Sequence, residues 1–302
     1  MILPIMILPL SRLPRHLVCA ALIALTTLHS PLPTLGATKP AEYARSISRL
    51  EPMDTTGLDT GIAHLLRNYY LGNFTSADTW VQTQSIRLDG TLHLPQGVIR
   101  FTAFKKKPDY CKVALFAGNG TRVVMAYDGT DAWQLSSGSA GVSRAAPDAQ
   151  PAAMTEGDAR NFILGATTGG HLLYPQIEGK EIQLLGVAPF DGNRHYELQT
   201  TLPDGQQIRH YLDMITFEEV RQVTINHLTG DEEVKTHSDF RTIDGIRIPF
   251  VSTLTIDGKQ IHQSRIDSVQ INSGIMPWMF SRPSGAFIPN APGGSTSAPS
   301  PP

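Results

Sequence analysis

Cysteine is scarce in this sequence, which contains only Cys19 and Cys111. Cys19 lies in a segment that we expect to be removed, and the single remaining cysteine can form neither an intrachain disulfide bond nor a two-cysteine metal site. Lipid attachment at Cys19 is not expected either, because the bacterial motif has glycine, alanine or serine directly before the cysteine, whereas Val18 stands there. We predict that Cys111 is a small buried residue of a strand.

Long apolar runs are also missing, apart from one near the N-terminus. Residues 17–28 form an apolar run that is shorter than the roughly 20 residues needed to span a bilayer. The basic residues Arg12 and Arg15 precede it and small residues follow it, which is typical of a signal peptide. We therefore predict a cleaved signal peptide over residues 1–37, with an uncleaved membrane anchor as the alternative. The mature chain is then expected in the periplasm, or secreted, and does not span a membrane.

The sequence has no excess of positive charge. Its 25 lysine and arginine residues stand against 27 aspartate and glutamate residues. Nucleic-acid binding usually requires a clustered basic face, so we predict no nucleic-acid partner. One basic run, residues 105–107, precedes Pro108. It is predicted to be a solvated strand end, with contact to an acidic partner or to phospholipid head groups as the alternative.

Catalytic and metal-binding motifs are absent as well. The sequence contains no Gly-x-Ser-x-Gly elbow and no Gly-Lys-Ser/Thr phosphate loop, and residues 118–122 lack the third glycine of a dinucleotide loop. No two histidines after the signal peptide have the spacing of a local metal site. Convergence of His195, His210 and Glu197 across strands is the remaining metal alternative. We therefore predict no catalytic residue, no metal and no cofactor, and a protein that is not an enzyme.

What the sequence does contain is a series of Asp-Gly pairs, most of them between short runs of alternating apolar and polar residues. Such pairs favour tight β-hairpin turns. Residues 181–271 are predicted to form seven consecutive strands with short links, and parallel strands are excluded because their crossovers need a dozen or more residues. The prediction is therefore mainly β, with one large antiparallel sheet that curls. The pairs are Asp89-Gly90, Asp128-Gly129, Asp191-Gly192, Asp204-Gly205, Asp244-Gly245 and Asp257-Gly258.

Some local expectations are specific enough to be checked. A two-residue turn at Asp204-Gly205 would place Leu198 opposite Tyr211. A first β block is predicted over residues 80–135. Its residues 80–94 are predicted to be one strand in which Trp80 shares a face with Leu88.

Two helices and the domain limits complete the pattern. Residues 58–71 are predicted to form an amphipathic helix that stops at Gly72, and a second helix is predicted from Thr155 to about residue 164. This second helix lies between the two β blocks, where a lid could lie over a sheet. The predicted organisation is a leader over 38–57, one domain over 58–283 and a disordered tail over 284–302 rich in proline, glycine, serine and alanine.

Several local patterns, in order, resemble the outer-membrane lipoprotein-sorting superfamily of LolA-like proteins. The resemblance covers most of residues 58–283. It implies a half-barrel of antiparallel strands closed by helices, with an apolar cavity that holds acyl chains, and it implies a periplasmic carrier. The patterns that carry it include Lys107-Pro108-Asp109-Tyr110, Ala126-Tyr127-Asp128-Gly129, Leu202-Pro203-Asp204-Gly205 and Val269-Gln270-Ile271-Asn272.

The expected function is therefore to bind a lipid or a lipoprotein acyl group on the concave face of the sheet. One alternative is an envelope sensor or interaction module that contacts an envelope membrane protein, and another is a hydrolase. Ten large side chains on predicted strands or on the lid helix are candidates for the apolar cavity, with an ordinary core as the alternative. They are Trp80, Phe101, Phe104, Met125, Trp133, Phe162, Tyr196, Tyr211, Phe240 and Phe250.

Overall fold

A computed structural model describes most of the predicted domain. The described residues are 50–118, 120–137, 150–167, 169–225 and 230–283. The predicted signal peptide, most of the predicted leader and the predicted tail lie outside the described residues, so these three assignments stay predictions.

The described chain contains three α-helices, thirteen strands and one short 3₁₀ helix at Pro277–Met279. The helices are α1 Thr60–Asn73, α2 Ala77–Gln82 and α3 Glu156–Ala166. The strands are β1 Ser85–Leu94, β2 Gly97–Lys106, β3 Tyr110–Phe116, β4 Arg122–Tyr127, β5 Ala132–Ser137, β6 Ala152–Ala153, β7 Glu181–Phe190, β8 Asn193–Thr201, β9 Gln207–Asp213, β10 Glu219–Ile225, β11 Glu232–Ile243, β12 Ile246–Ile256 and β13 Lys259–Ile271.

All thirteen strands belong to one antiparallel sheet. Its order is β6-β5-β4-β3-β2-β1-β13-β12-β11-β10-β9-β8-β7, so the first strand and the last strand are neighbours inside the sheet. The two β blocks of the sequence are therefore two arms of a single sheet, joined where Ile86 pairs with Ile271. Strands β6 and β7 are its edges, and the sheet is curved and open. The predicted fold class, a mainly β protein with an open antiparallel half-barrel, is confirmed.

Three Asp-Gly pairs form the expected two-residue hairpin turns. In Asp191-Gly192, Asp244-Gly245 and Asp257-Gly258 both residues have positive φ, and the flanking residues pair directly. This is the geometry of a type I′ turn, which aspartate and glycine tolerate better than other residues.

The prediction for Asp204-Gly205 is wrong by one residue of register. Leu198 pairs with His210, and Tyr211 pairs with Glu197. The turn begins one residue earlier, because the N–H of Gly205 donates to the carbonyl oxygen of Leu202. Pro203 then occupies the second position of the turn, where the φ imposed by its ring is favourable.

Helix boundaries differ from the predictions for identifiable reasons. Helix α1 begins after Asp59, whose carboxylate accepts from two backbone N–H groups, and it continues through Gly72. A Cβ atom at Gly72 would lie 2.5 Å from the carbonyl oxygen of Thr216, so this glycine permits close packing against the β9–β10 turn instead of ending the helix. Helix α3 begins after its predicted cap, Thr155, and ends at Ala166, two residues beyond the predicted end.

Trp80 lies in helix α2 and not in a strand, so that prediction is wrong. The hydroxyl of Ser76 accepts from the N–H of Thr79 and starts this helix. Trp80 is fully buried, and its indole N–H donates to the hydroxyl of Tyr174 over 3.1 Å. This contact is distant in sequence, so local alternation could not indicate it.

The main apolar core lies on one face of the sheet, which we call the inner face. Helix α1 contributes Leu66 and Tyr69 to this core, and helix α3 contributes Phe162. The opposite, outer face carries a smaller apolar cluster around Trp133, and the C-terminal segment covers it through Phe280. The inner face is therefore the one that the helices close.

Candidate functional site: a polar strip on the inner face

Six of the ten predicted site residues belong to the main core or pack against it. Trp80, Phe101, Met125, Phe162 and Phe250 are buried members of the core, and Tyr196 packs at its margin. Two of the segments that cover this core, helix α1 and the segment after α3, are joined by a hydrogen bond. The hydroxyl of Tyr70 donates to the carbonyl oxygen of Leu172 over 2.8 Å. A ligand could occupy this region only if covering segments moved aside.

The other four predicted site residues lie elsewhere. Trp133 belongs to the outer cluster, and the Tyr211 hydroxyl donates to a carboxylate oxygen of Glu197. Phe104 lies beneath the guanidinium of Arg87, and Phe240 pairs with Pro249. Because side chains alternate between the two faces along a strand, both phenylalanines lie on the outer face. The structure thus brings together part of the predicted set, and its role in ligand binding stays a prediction.

A strip of polar side chains crosses the inner face beside the apolar core. Neighbouring strands place His210, Gln222, Lys235, Leu254 and His262 in one cross-strand row. We call the polar residues of this row, without Leu254, together with the adjacent row of His237, Ser252 and Ser264, the polar strip. It occupies β9 to β13, in the middle of one arm of the sheet.

Some polar groups of the strip are paired. The Nδ1 atom of His210 lies 2.7 Å from a carboxylate oxygen of Glu219, and the Nδ1 atom of His237 lies 2.8 Å from the hydroxyl of Ser252. The hydroxyl of Ser264 donates to the backbone carbonyl of Ser252 over 3.2 Å. These contacts hold the two rings in fixed orientations.

Other polar groups of the strip have no partner among the described residues. They include the Nε2 atoms of His210 and His237 and the Nδ1 atom of His262, all of which are buried. The Lys235 ammonium likewise has no hydrogen bond or ion pair there. Buried polar atoms are usually hydrogen-bonded, so an unpaired set around one cation is a reason to look for a ligand.

Burial changes the protonation of these groups. Burial, and then the nearby charge of Lys235, lower the pKa of His237 to about 3 and that of His262 to about 4. Burial also lowers the pKa of Lys235, while the carboxylates of Glu233 and Glu219 act to raise it. At neutral pH both imidazoles are therefore neutral, and each carries one N–H.

Two small cavities meet at Lys235. One, of about 30 Å³, lies beneath helix α3, between Asn161 and Leu164 on the helix and Gln222 and Glu233 on the sheet. The other, of about 10 Å³, adjoins His237 and His262. A water molecule needs about 10–15 Å³, so these cavities hold only a few atoms.

Helix α3 is attached to the sheet by a small number of polar contacts. Arg160 forms an ion pair with Asp204 at 2.9 Å, between the helix and the β8–β9 turn. Beyond the end of the helix, the Lys105 ammonium donates to the carbonyl oxygen of Thr167 over 3.4 Å. Burial lowers the pKa of Lys105 to about 8. The helix is therefore a separate cover of the inner face, as the predicted lid requires.

No family model matches the chain, and no curated protein matches it. Solved structures match it at low sequence identity. An outer membrane lipoprotein-sorting protein domain from Vibrio parahaemolyticus matches with a TM-score of 0.47 and 10% identity, over 72% of this chain and 94% of that one. A LolA superfamily protein from Nitrosomonas europaea matches with a TM-score of 0.46 and 13% identity, over 72% and 96%.

A DUF1329 family protein from Desulfovibrio piger matches with a TM-score of 0.49 and 12% identity, over 72% of this chain and 97% of that one. These similarities concern the fold and say nothing about a ligand. In the described residues, no helix is long and apolar enough to cross a membrane.

The metal alternative from the sequence is wrong for the described residues, where no group of three or more histidine, cysteine or acidic side chains could hold a metal ion. His210 faces inward to Glu219, while Glu197 contacts Tyr211 on the other face. Register decides this separation, because Glu197 pairs with Tyr211 and not with His210.

The polar strip itself was missed by the sequence reasoning. A signal was present in β11, whose segment Glu232–Ile243 contains few apolar residues although it lies inside the sheet. A central strand without an apolar face is unusual, because the side chains of inner strands are normally buried against a core. That pattern could have directed attention to Lys235 and His237.

Proposed function

We propose that this protein is an envelope carrier or binding protein, without catalytic activity, that holds a lipid or a lipoprotein acyl group on the inner face of its sheet. The observation that carries the proposal is the way this face is closed. Its apolar core is covered by separate helices, and one of them, α3, is attached through the Arg160 ion pair, through the segment after the helix and through apolar contacts of Ala159, Phe162 and Ile163. Displacing this cover would expose the core side chains that Phe162 contacts, beside the polar strip, without unpairing any strand.

The binding energy would come from the apolar surface of the acyl chain. Each buried CH₂ group contributes about 0.8 kcal/mol, so a long chain can offset the cost of moving a short helix. The signal peptide predicted from the sequence would direct the mature protein to the periplasm, where such ligands occur. The resemblance to LolA-like carriers, noted from the sequence, points the same way.

The test is uptake of a fluorescent fatty acid by delipidated protein. We expect saturable binding at micromolar protein concentrations. Arg160→Ala should accelerate uptake a few-fold, because a partly exposed ion pair contributes about 0.2–1 kcal/mol to holding α3 in place.

The matched control is Arg247→Ala, which removes a similarly exposed ion pair with Glu218, between β12 and the β9–β10 turn. This variant should take up the fatty acid at the wild-type rate. If neither the wild-type protein nor Arg160→Ala bound the fatty acid at micromolar concentrations, the proposal would be wrong.

A second candidate, an envelope interaction module, is favoured by the free edge of the sheet. Edge strand β7 exposes Leu184, Leu185 and Val187. An exposed edge strand can pair with an extended segment of another protein. Recovery of one stoichiometric partner from envelope extract, abolished by Val187→Pro but not by Arg160→Ala, would support this function over the carrier.

A further inference from the structure

The polar strip has an arrangement that a purely apolar ligand does not explain. Lys235 has no hydrogen bond or ion pair among the described residues. His237 and His262 line a cavity together with Lys235, and each has one buried ring nitrogen without a partner there. His262 is only 3% exposed and His210 is fully buried. Leaving a buried donor or acceptor unsatisfied is destabilising, so a set of such groups favours the binding of a ligand that pairs with them.

The polar side chains around His237 leave hydrogen-bond donors available to a ligand. The hydroxyl of Ser252 can donate to Nδ1 of His237, because the other serine of the row, Ser264, donates to a backbone carbonyl and does not compete. In that tautomer Nε2 of His237 carries the ring hydrogen, and this buried donor has no partner among the described residues. The three N–H groups of Lys235 lie beside the cavity that His237 also lines.

Charge is distributed unequally around Lys235. No carboxylate lines the cavity that adjoins His237 and His262. Glu233 lines the other cavity, beneath α3, and Glu219 is bound to His210. One side of Lys235 is therefore occupied by acidic residues that favour its charged form, and the other side is open to an acceptor.

The strip is bounded by apolar core residues at both ends of its rows. Leu198 pairs with His210, and Leu92 pairs with Ser264, and both leucines are fully buried members of the main core. A molecule that contacted Lys235 with a polar end could therefore extend an apolar chain directly into the core region.

We propose that the polar strip binds the anionic head group of the amphiphile, a phosphate or a carboxylate, with Lys235 and His237 as its donors. This inference rests on the proposed function and adds the chemistry of the head group to it. The cavity beneath α3 holds only water-sized groups while the helix is in place, so the head group reaches Lys235 as the helix is displaced.

The experiment compares two lipids that share one acyl chain and differ in charge. Lysophosphatidic acid carries a phosphate, and the matching monoacylglycerol carries a hydroxyl. Binding to delipidated protein is measured by calorimetry at pH 7.5. Two further ligands are measured in the same way: the fatty acid, which carries a carboxylate, and inorganic phosphate, which is an anion without an acyl chain. We expect the two anionic lipids to bind at least about tenfold more tightly than the monoacylglycerol. A hydrogen bond to a charged group contributes about 1.5–3 kcal/mol, and about 1.4 kcal/mol corresponds to a factor of ten.

Lys235→Met should remove this difference by lowering the affinity for the two anionic lipids to that for the monoacylglycerol. The matched control is Lys259→Met, because Lys259 is exposed at the start of β13, and it should keep the wild-type preference. Ser252→Ala, which frees the His237 ring, should reduce the preference part of the way and provides a second test if Lys235→Met does not fold. Circular dichroism checks the folding of each variant.

The outcomes separate the two proposals. Equal binding of charged and neutral lipids by the wild-type protein would overturn the head-group site and leave the carrier function standing. Binding of none of the lipids would overturn the carrier function. If inorganic phosphate bound as tightly as lysophosphatidic acid and required Lys235, the anion site would be supported and its lipid origin overturned.

Discussion

Individual residues decide how closely the strands of this sheet approach one another. Gly90 lies inside β1, at the irregular pairing with β13. A Cβ atom at this position would lie 2.2 Å from the carbonyl oxygen of Arg265 and 2.8 Å from the ring of Phe101. The glycine is therefore required by the junction of the two arms, and not by a turn.

We expect Gly90→Ala to destabilise the protein by about 1–3 kcal/mol or more, because overpacking forces backbone shifts. The measurement is the free energy of unfolding in urea. Gly118→Ala is the control, since no atom lies within 4 Å of the Cβ position there. A Gly90→Ala variant as stable as Gly118→Ala would show that β1 and β13 adjust without cost.

The buried histidines predict a pH dependence of stability. His237 and His262 have folded-state pKa values of about 3 and about 4, below the ordinary 6.5, and Lys235 faces both. The unfolded chain therefore binds more protons below about pH 6.5, and stability decreases as the pH falls from there towards 4. Each histidine can contribute a loss of about 1.4 kcal/mol per pH unit within this window.

Urea unfolding at pH 7 and pH 5 measures this loss. His237→Gln should reduce the difference between the two pH values, because glutamine does not titrate. His64→Gln, at an exposed position on α1, should leave the difference unchanged. A pH difference that was the same in all three proteins would mean that His237 does not cause it.

At the scale of elements, the C-terminal segment acts as a cover for the outer face. The indole N–H of Trp133 donates to the carbonyl oxygen of Phe280 over 2.7 Å, and Lys112 donates to the carbonyl oxygen of Met279. The ring of Phe280 contacts Tyr110. A short segment without strand pairing is thus anchored by one buried aromatic side chain and a few hydrogen bonds.

Phe280→Ala should cost about 3–5 kcal/mol of stability, as expected for the loss of a fully buried phenylalanine. Trp278→Ala should change stability by less than about 0.5 kcal/mol, because this neighbouring tryptophan is 73% exposed. Urea unfolding of both variants measures the contrast. Similar losses in the two variants would indicate that the whole segment, and not its buried anchor, matters.

At the scale of the whole molecule, the sheet joins both arms into one structure. Strand β1 pairs with β13, about as far apart in sequence as two described strands can be, and one core includes residues from both arms. A shared core and a shared sheet make independent unfolding of either arm costly.

We therefore expect a single cooperative unfolding transition. Tryptophan fluorescence reports on Trp80, Trp133 and Trp278, none of which lies in β7–β13, whereas far-UV circular dichroism reports on all strands. The two signals should give coincident curves in urea. Separate midpoints would show that the two arms unfold independently.

Local features were predictable because they depend on a few adjacent residues. The turn at Asp257-Gly258 needs positive φ at two positions, and the start of α3 needs only the cap of Thr155. Features that depend on distant partners were not predictable. The helical position of Trp80 and its bond to Tyr174 are examples, and the register at Asp204 failed because the adjacent Pro203 shifted the turn.

By itself, the sequence determined that the chain is an antiparallel sheet with short turns and a helix between two β blocks, because turn conformation and hydrophobic alternation are local properties. Only the tertiary structure decided that β1 and β13 join the blocks into one sheet, and which polar side chains meet on its inner face. Pairing between distant strands fixes both outcomes. A shift of one residue would turn Lys235 to the other face, and no local signal in the sequence sets that register.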